Sequence, residues 1–100
     1  MNQLTLNFAA DHPTAAGHFP GNPIIPGALL LAEVLLRIEL AEGARFESCK
    51  VKAAKFLQPA RPGDCVEIGY VRSAQGTIEF QCAVAGVMVL TGAVSATTCV

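Results

Sequence analysis

Charge is what this sequence has least of. Asp, Glu, Lys and Arg make up only 15% of its 100 residues, against 52% that are hydrophobic. A chain this short exposes a large share of its residues to water, so part of its apolar surface is expected to meet another subunit. The formal net charge of -1 and a pI near 6.0 exclude a general nucleic-acid binder, which needs a clearly basic chain. No apolar run approaches the ~20 residues that cross a bilayer; the longest are "ALLLA" and "VLL", separated by Glu33. The start, "MNQLTLNF", lacks the basic region, apolar stretch and cleavage site of a signal peptide. There are two histidines, and the four cysteines, Cys49, Cys65, Cys82 and Cys99, form no C-x-x-C pair, which argues against structural zinc. No metal or redox cofactor is implied. The cysteines are expected to be reduced and mostly buried, and the protein to be cytoplasmic, with a single domain over residues 1–100.

What is present falls into a clear order. Leu4, Leu6 and Phe8 alternate with polar residues, the period of a half-buried strand. A loop rich in Gly and Pro follows, and Ala28 to about Glu42 reads as a helix of strong helix formers closed by Gly43. This helix is apolar nearly all round, which predicts burial in the middle of the fold. In "CKVKA", alternation puts Cys49, Val51 and Ala53 on one face and Lys50 and Lys52 on the other. Three further strands are expected around Val66 to Tyr70, Ile78 to Val84 and Val87 to Thr97. Turns fall at Ser73 to Gly76 and at Gly86, and Gly92 marks a bulge or bend. One strand, one helix and four strands in an antiparallel meander make an α+β fold with a sheet edge free to pair with a second copy.

The stretch "GHFPGNPIIPG", residues 17 to 27, is the candidate to carry chemistry. Alternating Gly and Pro restricts the backbone around His18, whose ordinary pKa of ~6.5 suits a general base. Alternatively, His18 only hydrogen-bonds the loop to itself. The loop feeds a helix start at Gly27, where the first N–H groups lack intrahelical partners and can polarise a carbonyl. Glu33 is the only charge between Ala28 and Leu36. It is either a desolvated carboxyl serving as a proton donor or the i, i+4 partner of Arg37. Five of the seven basic residues, Arg45, Lys50, Lys52, Lys55 and Arg61, lie between positions 45 and 61, forming either a basic patch or a solvated strand face.

"HFPGNPIIPG" followed by "ALLLAEVL", and more weakly "KFLQPARPGD", resembles the 3-hydroxyacyl-[acyl-carrier-protein] dehydratases of the hotdog fold. The resemblance implies a long central helix wrapped by a curved antiparallel sheet. It also implies a homodimer, or a higher oligomer of dimers, with active sites between subunits. His18 would then remove the proton α to the thioester carbonyl, and the Gly27 N–H would hold that carbonyl, with Phe19 and Pro26 beside the substrate. An apolar tunnel would take the acyl chain. Lys50, Lys52 and Lys55 would dock an acidic carrier protein or the phosphates of coenzyme A. The family's acidic residue stands fourteen positions after the histidine, where this chain has Ala32; Glu33 is one residue, ~100° of helix, further on. Three activities follow: a dehydratase with Glu33 as substitute acid, a non-catalytic thioester binder or partner of an active homologue, or a thioesterase.

Overall fold

A computed structural model describes residues 1–11, 23–43 and 45–98. Strand β1 (Asn2–Asn7) is followed by helix α1 (Gly27–Glu42) and then by β2 (Phe46–Phe56), β3 (Cys65–Arg72), β4 (Thr77–Val84) and β5 (Val87–Thr98). The strands form one antiparallel sheet in the order β1-β3-β4-β5-β2. The expected four-strand meander is therefore corrected: β3, β4 and β5 are consecutive neighbours, but β2 lies beyond β5 at one edge, and β1 forms the other. Local alternation tells which residues share a face wherever a strand runs without a bulge. Neighbours in the sheet depend on long-range pairing, which no short window contains.

The helix ends as its sequence requires. Gly43 takes the left-handed conformation at φ 69° and donates its N–H to the Leu40 carbonyl. Leu30, Val34 and Ile38, one turn apart, are buried against Ile68, Tyr70, Ile78, Phe80, Leu90 and Val94 of the sheet; burying each such side chain stabilises by about 1.5–3 kcal/mol. Full burial of the helix is not observed. Ala32, Leu36 and Leu40 face outwards, Leu36 being 46% and Leu40 64% exposed, because the sheet covers one face of the helix and leaves the opposite one bare.

The turns follow the Gly signals. Ser73 and Thr77 close the β3–β4 turn through backbone and hydroxyl hydrogen bonds, with Gly76 at φ 84°. Ala85 and Gly86, both at positive φ, form the two-residue β4–β5 loop. Near Gly92 the bulge lies in the facing strand: the β2–β5 register shifts between Val51 and Ala53. A Cβ on Gly92 would lie 2.7 Å from both the Ala53 carbonyl oxygen and the Phe80 ring, so the glycine admits both. The bulge also corrects the expected face of Ala53. It pairs with Ala93, on the sheet face turned away from the helix, whereas Val51 pairs with buried Val94.

Candidate active site

The site is built around the start of α1. Pro26 precedes the helix with φ -55° and ψ 141° and supplies no side-chain cap, while its carbonyl accepts the N–H of Leu30 at 3.0 Å. No acidic residue stands in the first turn. The N–H of Gly27 and those immediately after it thus form the positive end of the helix dipole, with no carboxylate of the first turn to neutralise it. An apolar cleft of about 400 Å³ opens beside this end, lined among others by Ile25, Gly27, Leu30, Phe56, Leu57 and Ala60. Its wall fits Gly27 closely: a Cβ there would stand 3.0 Å from Cε1 of Phe56, so a larger residue would have to push the aromatic ring back from the helix start.

Two separated stretches of sequence meet here. Ile25 donates its N–H to the Ala60 carbonyl at 2.7 Å in an antiparallel bridge, so "IIPG" is joined to "KFLQPARPGD". The second stretch is itself closed by Asp64, whose Oδ2 accepts the N–H of Arg61 at 2.8 Å while its own N–H donates to the Arg61 carbonyl. It is anchored to β1 by the paired backbones of Phe8 and Asp64. Phe56, Leu57 and Ala60 were not singled out from the sequence. Their only signal was the weaker motif in which they lie.

His18 and Phe19 lie outside the described residues. Pro26 is exposed at the helix entry. Glu33 is half-buried, Arg37 is exposed, and the two form no ion pair. Ala32 faces a second cleft lined by Leu35, Leu36, Glu39, Phe46 and Cys49, between α1 and the start of β2. Glu33, about 100° further round the helix, points away from it. The carboxylate that does share this cleft is Glu39, whose Oε2 accepts the N–H of Phe46.

Lys50, Lys52 and Lys55 are all exposed. Lys50 pairs with Ser95, Lys55 with Thr91, and Lys52 Nζ donates to Oγ1 of Thr77 at 3.2 Å, so all three lie on the face away from α1. The cysteines depart from expectation. Cys82 is buried in the core, which pushes its thiol up to about 12, but Cys49 and Cys65 are exposed. Partial burial, and secondarily Glu39, raise the Cys49 thiol. Cys49 pairs with buried Ala96, on the face towards the helix, but it stands in the edge strand, at the open cleft beside α1. Cys99 lies outside the described residues.

The family model described as ApeI dehydratase matches residues 1–93. The chain belongs to the ApeI-like dehydratase family. Among its relatives are 3-hydroxyacyl-[acyl-carrier-protein] dehydratases FabZ. The one from Levilactobacillus brevis is 34% identical over 86 residues, covering 75% of this chain and 58% of the relative. That of Haemophilus influenzae is 33% identical over 85 residues, covering 74% and 57%. This ApeI-like chain spans about half the length of the curated relatives it matches. Among solved structures, a protein from Erwinia carotovora subsp. atroseptica superposes with a TM-score of 0.77 at 25% identity, covering 96% of this chain and 82% of that one. The dehydratase heterocomplex ApeI:P from Xenorhabdus doucetiae gives 0.74 at 21%, covering 94% and 84%. These neighbours bear out the hotdog fold, one helix packed against a five-stranded antiparallel sheet. No helix among the described residues is long and apolar enough to cross a membrane.

Proposed function

We propose that this ApeI-like chain is a subunit of a hydro-lyase that dehydrates a 3-hydroxyacyl thioester carried on acyl carrier protein or coenzyme A. The observation that carries the reading is the junction at Gly27. There an uncapped helix start with free N–H groups and an apolar cleft are formed by the two stretches that resemble the dehydratases. The thioester carbonyl would accept the Gly27 N–H, with Phe19 and Pro26 flanking it and the acyl chain against Phe56 and Leu30. His18 would take the proton from the carbon α to that carbonyl, and the electron pair would form the α,β double bond as the β-hydroxyl leaves. That hydroxyl needs a proton to depart as water, and a positioned acid is worth about 10²- to 10⁴-fold in rate. Ala32 has none to give. Glu33 is the substitute only if its carboxyl reaches the site from its own side of the helix. A second subunit would cover the bare helix face and β2, and the exposed row of Lys50, Lys52 and Lys55 suits an acidic carrier surface.

Ala32 favours a second reading, in which the chain binds thioesters or supports an active homologue without performing the elimination itself. One series of assays separates the two. Purified protein is incubated with 3-hydroxyacyl and enoyl thioesters of several chain lengths, and hydration, dehydration and thiol release are followed. Dehydration by the native chain that is lost in Glu33→Gln supports the first reading. A native chain that is inactive and gains activity in Ala32→Asp supports the second. Release of free thiol would overturn both in favour of a thioesterase.

A further inference from the structure

On the dehydratase reading the thioester carbonyl accepts the Gly27 N–H, and the choice of acyl group rests on that reading. Three consecutive atoms of the Phe56 ring, Cδ1, Cε1 and Cζ, lie 3.3, 3.0 and 3.1 Å from the place that a Cβ of Gly27 would take. One side of the ring therefore rests against the helix start. In a helix the Cα–Cβ bond tilts towards the N-terminus, the direction in which the first N–H groups also point. An oxygen bound to the Gly27 N–H at about 2.9 Å thus lies beside the ring, and the carbon α to the carbonyl is two bonds from that oxygen. The cleft suits the acyl end of the thioester, because Gln58 is its only polar side chain among the described residues. The amides of a pantetheine arm would be buried there without enough partners, a cost that a hydrocarbon chain does not meet.

The ring cannot retreat by moving its backbone. Phe56 pairs with buried Leu90, and Leu57 donates its N–H to the Val89 carbonyl at 2.9 Å. Behind it the cleft is closed by Ile25, Leu30 and Ala60, all buried. Phe56 itself is 48% exposed and stands outside the buried core, so the fold does not require a ring of this size there. For elimination, one hydrogen of the α carbon must face the base, while the chain runs down the cleft. The fourth substituent of that carbon then has one direction left. We infer that the Phe56 ring bounds this direction and restricts the site to acyl groups unbranched at the α carbon. A 2-methyl-3-hydroxyacyl thioester still has one α-hydrogen. The base can take that proton, its electron pair can form the double bond, and the β-hydroxyl can leave with a proton as water. Its exclusion is therefore steric and not chemical, and a methyl misfit in an apolar site is worth about 10- to 200-fold.

The test reads a preference between two acyl groups. Binding of butanoyl- and 2-methylbutanoyl-coenzyme A is measured by isothermal titration calorimetry for wild type, Phe56→Leu and Phe56→Ala. For the same proteins kcat/KM is measured on 3-hydroxybutanoyl- and 3-hydroxy-2-methylbutanoyl-coenzyme A, with all stereoisomers present. Circular dichroism and sedimentation velocity establish that each variant folds and associates as wild type does, and Phe56→Leu keeps an apolar side chain in place should Phe56→Ala fail to fold. Wild type should favour the unbranched group by about ten-fold or more, and Phe56→Ala should cut that preference to about three-fold or less, with Phe56→Leu between them. A wild type that takes both groups alike overturns the inference. So do variants that weaken both alike and keep the preference, as a purely structural ring would, and so does a chain that binds neither thioester. Binding with the expected preference but without turnover sinks the dehydratase reading and leaves the role of the ring standing. Turnover without preference does the reverse.

Discussion

Gly27 and Gly92 show how much one missing side chain can decide. At Gly92 a Cβ would strike a backbone carbonyl, which cannot move without disturbing the strand; at Gly27 it would strike only the half-exposed Phe56 ring. Gly27→Ala should therefore fold, with a melting temperature little changed, because the ring can turn aside and alanine favours helix. The added methyl stands where the thioester is proposed to lie, and a misfit of that size in an apolar site is worth about 10- to 200-fold. The expected outcome is a kcat/KM about ten-fold lower or worse on a 3-hydroxyacyl thioester. Unchanged kinetics would place the substrate elsewhere. The position of Gly27 at a helix start was legible from the Pro-Gly signal. The ring that crowds Gly27 arrives from β2, some thirty residues away, and could not be read locally.

At the scale of elements, α1 is tied to β3 at its C-terminal end by a small polar cluster. Tyr70 donates its hydroxyl to Oε2 of Glu42 at 2.9 Å, and Arg72 Nη1 donates to Oε1 at 3.0 Å. The Arg72 and Tyr70 hydrogen bonds hold the Glu42 carboxyl below its ordinary value of 4.5, outweighing the opposing effect of burial. A carboxyl whose pKa is lower folded than unfolded stabilises the fold above the unfolded value, and that contribution is lost as pH falls through 4.5 towards the folded value. Wild type should accordingly lose stability to urea over this range more steeply than Glu42→Gln, with the two curves converging at lower pH. Parallel curves would mean that the cluster does not couple helix to sheet. Neither partner stood out in the sequence, because Glu42 lies 28 residues from Tyr70 and belongs to a different local pattern.

For the whole molecule, the lean charge of the composition takes a definite form: a bare helix stripe at Ala32, Leu36 and Leu40 and an uncovered edge strand with Val51 and Phe56 exposed. Exposed apolar surface of this kind marks an interaction site. Leu36→Asp should leave the fold intact, since Leu36 is 46% exposed and lies outside the buried core, yet weaken subunit association. The measurement is self-association by sedimentation velocity. A dimer as strong as that of wild type would show that this helix face lies outside the interface.

The sequence by itself determined the kinds of elements and their ends: the alternating strands, the helix from the Pro-Gly signal to Gly43, and the turns at Gly76 and Gly86. These rest on side-chain periodicity and backbone freedom, which act over a few residues. The motif around His18 likewise carried the family, since its residue types and spacing are contiguous. Only the tertiary structure decided that β2 crosses to the far edge, that its bulge gathers Lys50, Lys52 and Lys55 on one face, and that Phe56 closes over Gly27. It also turned Ala32 towards the cleft by β2 and Glu33 away from it. Each of these depends on which strand lies beside which, and that is settled by packing between residues far apart in the chain.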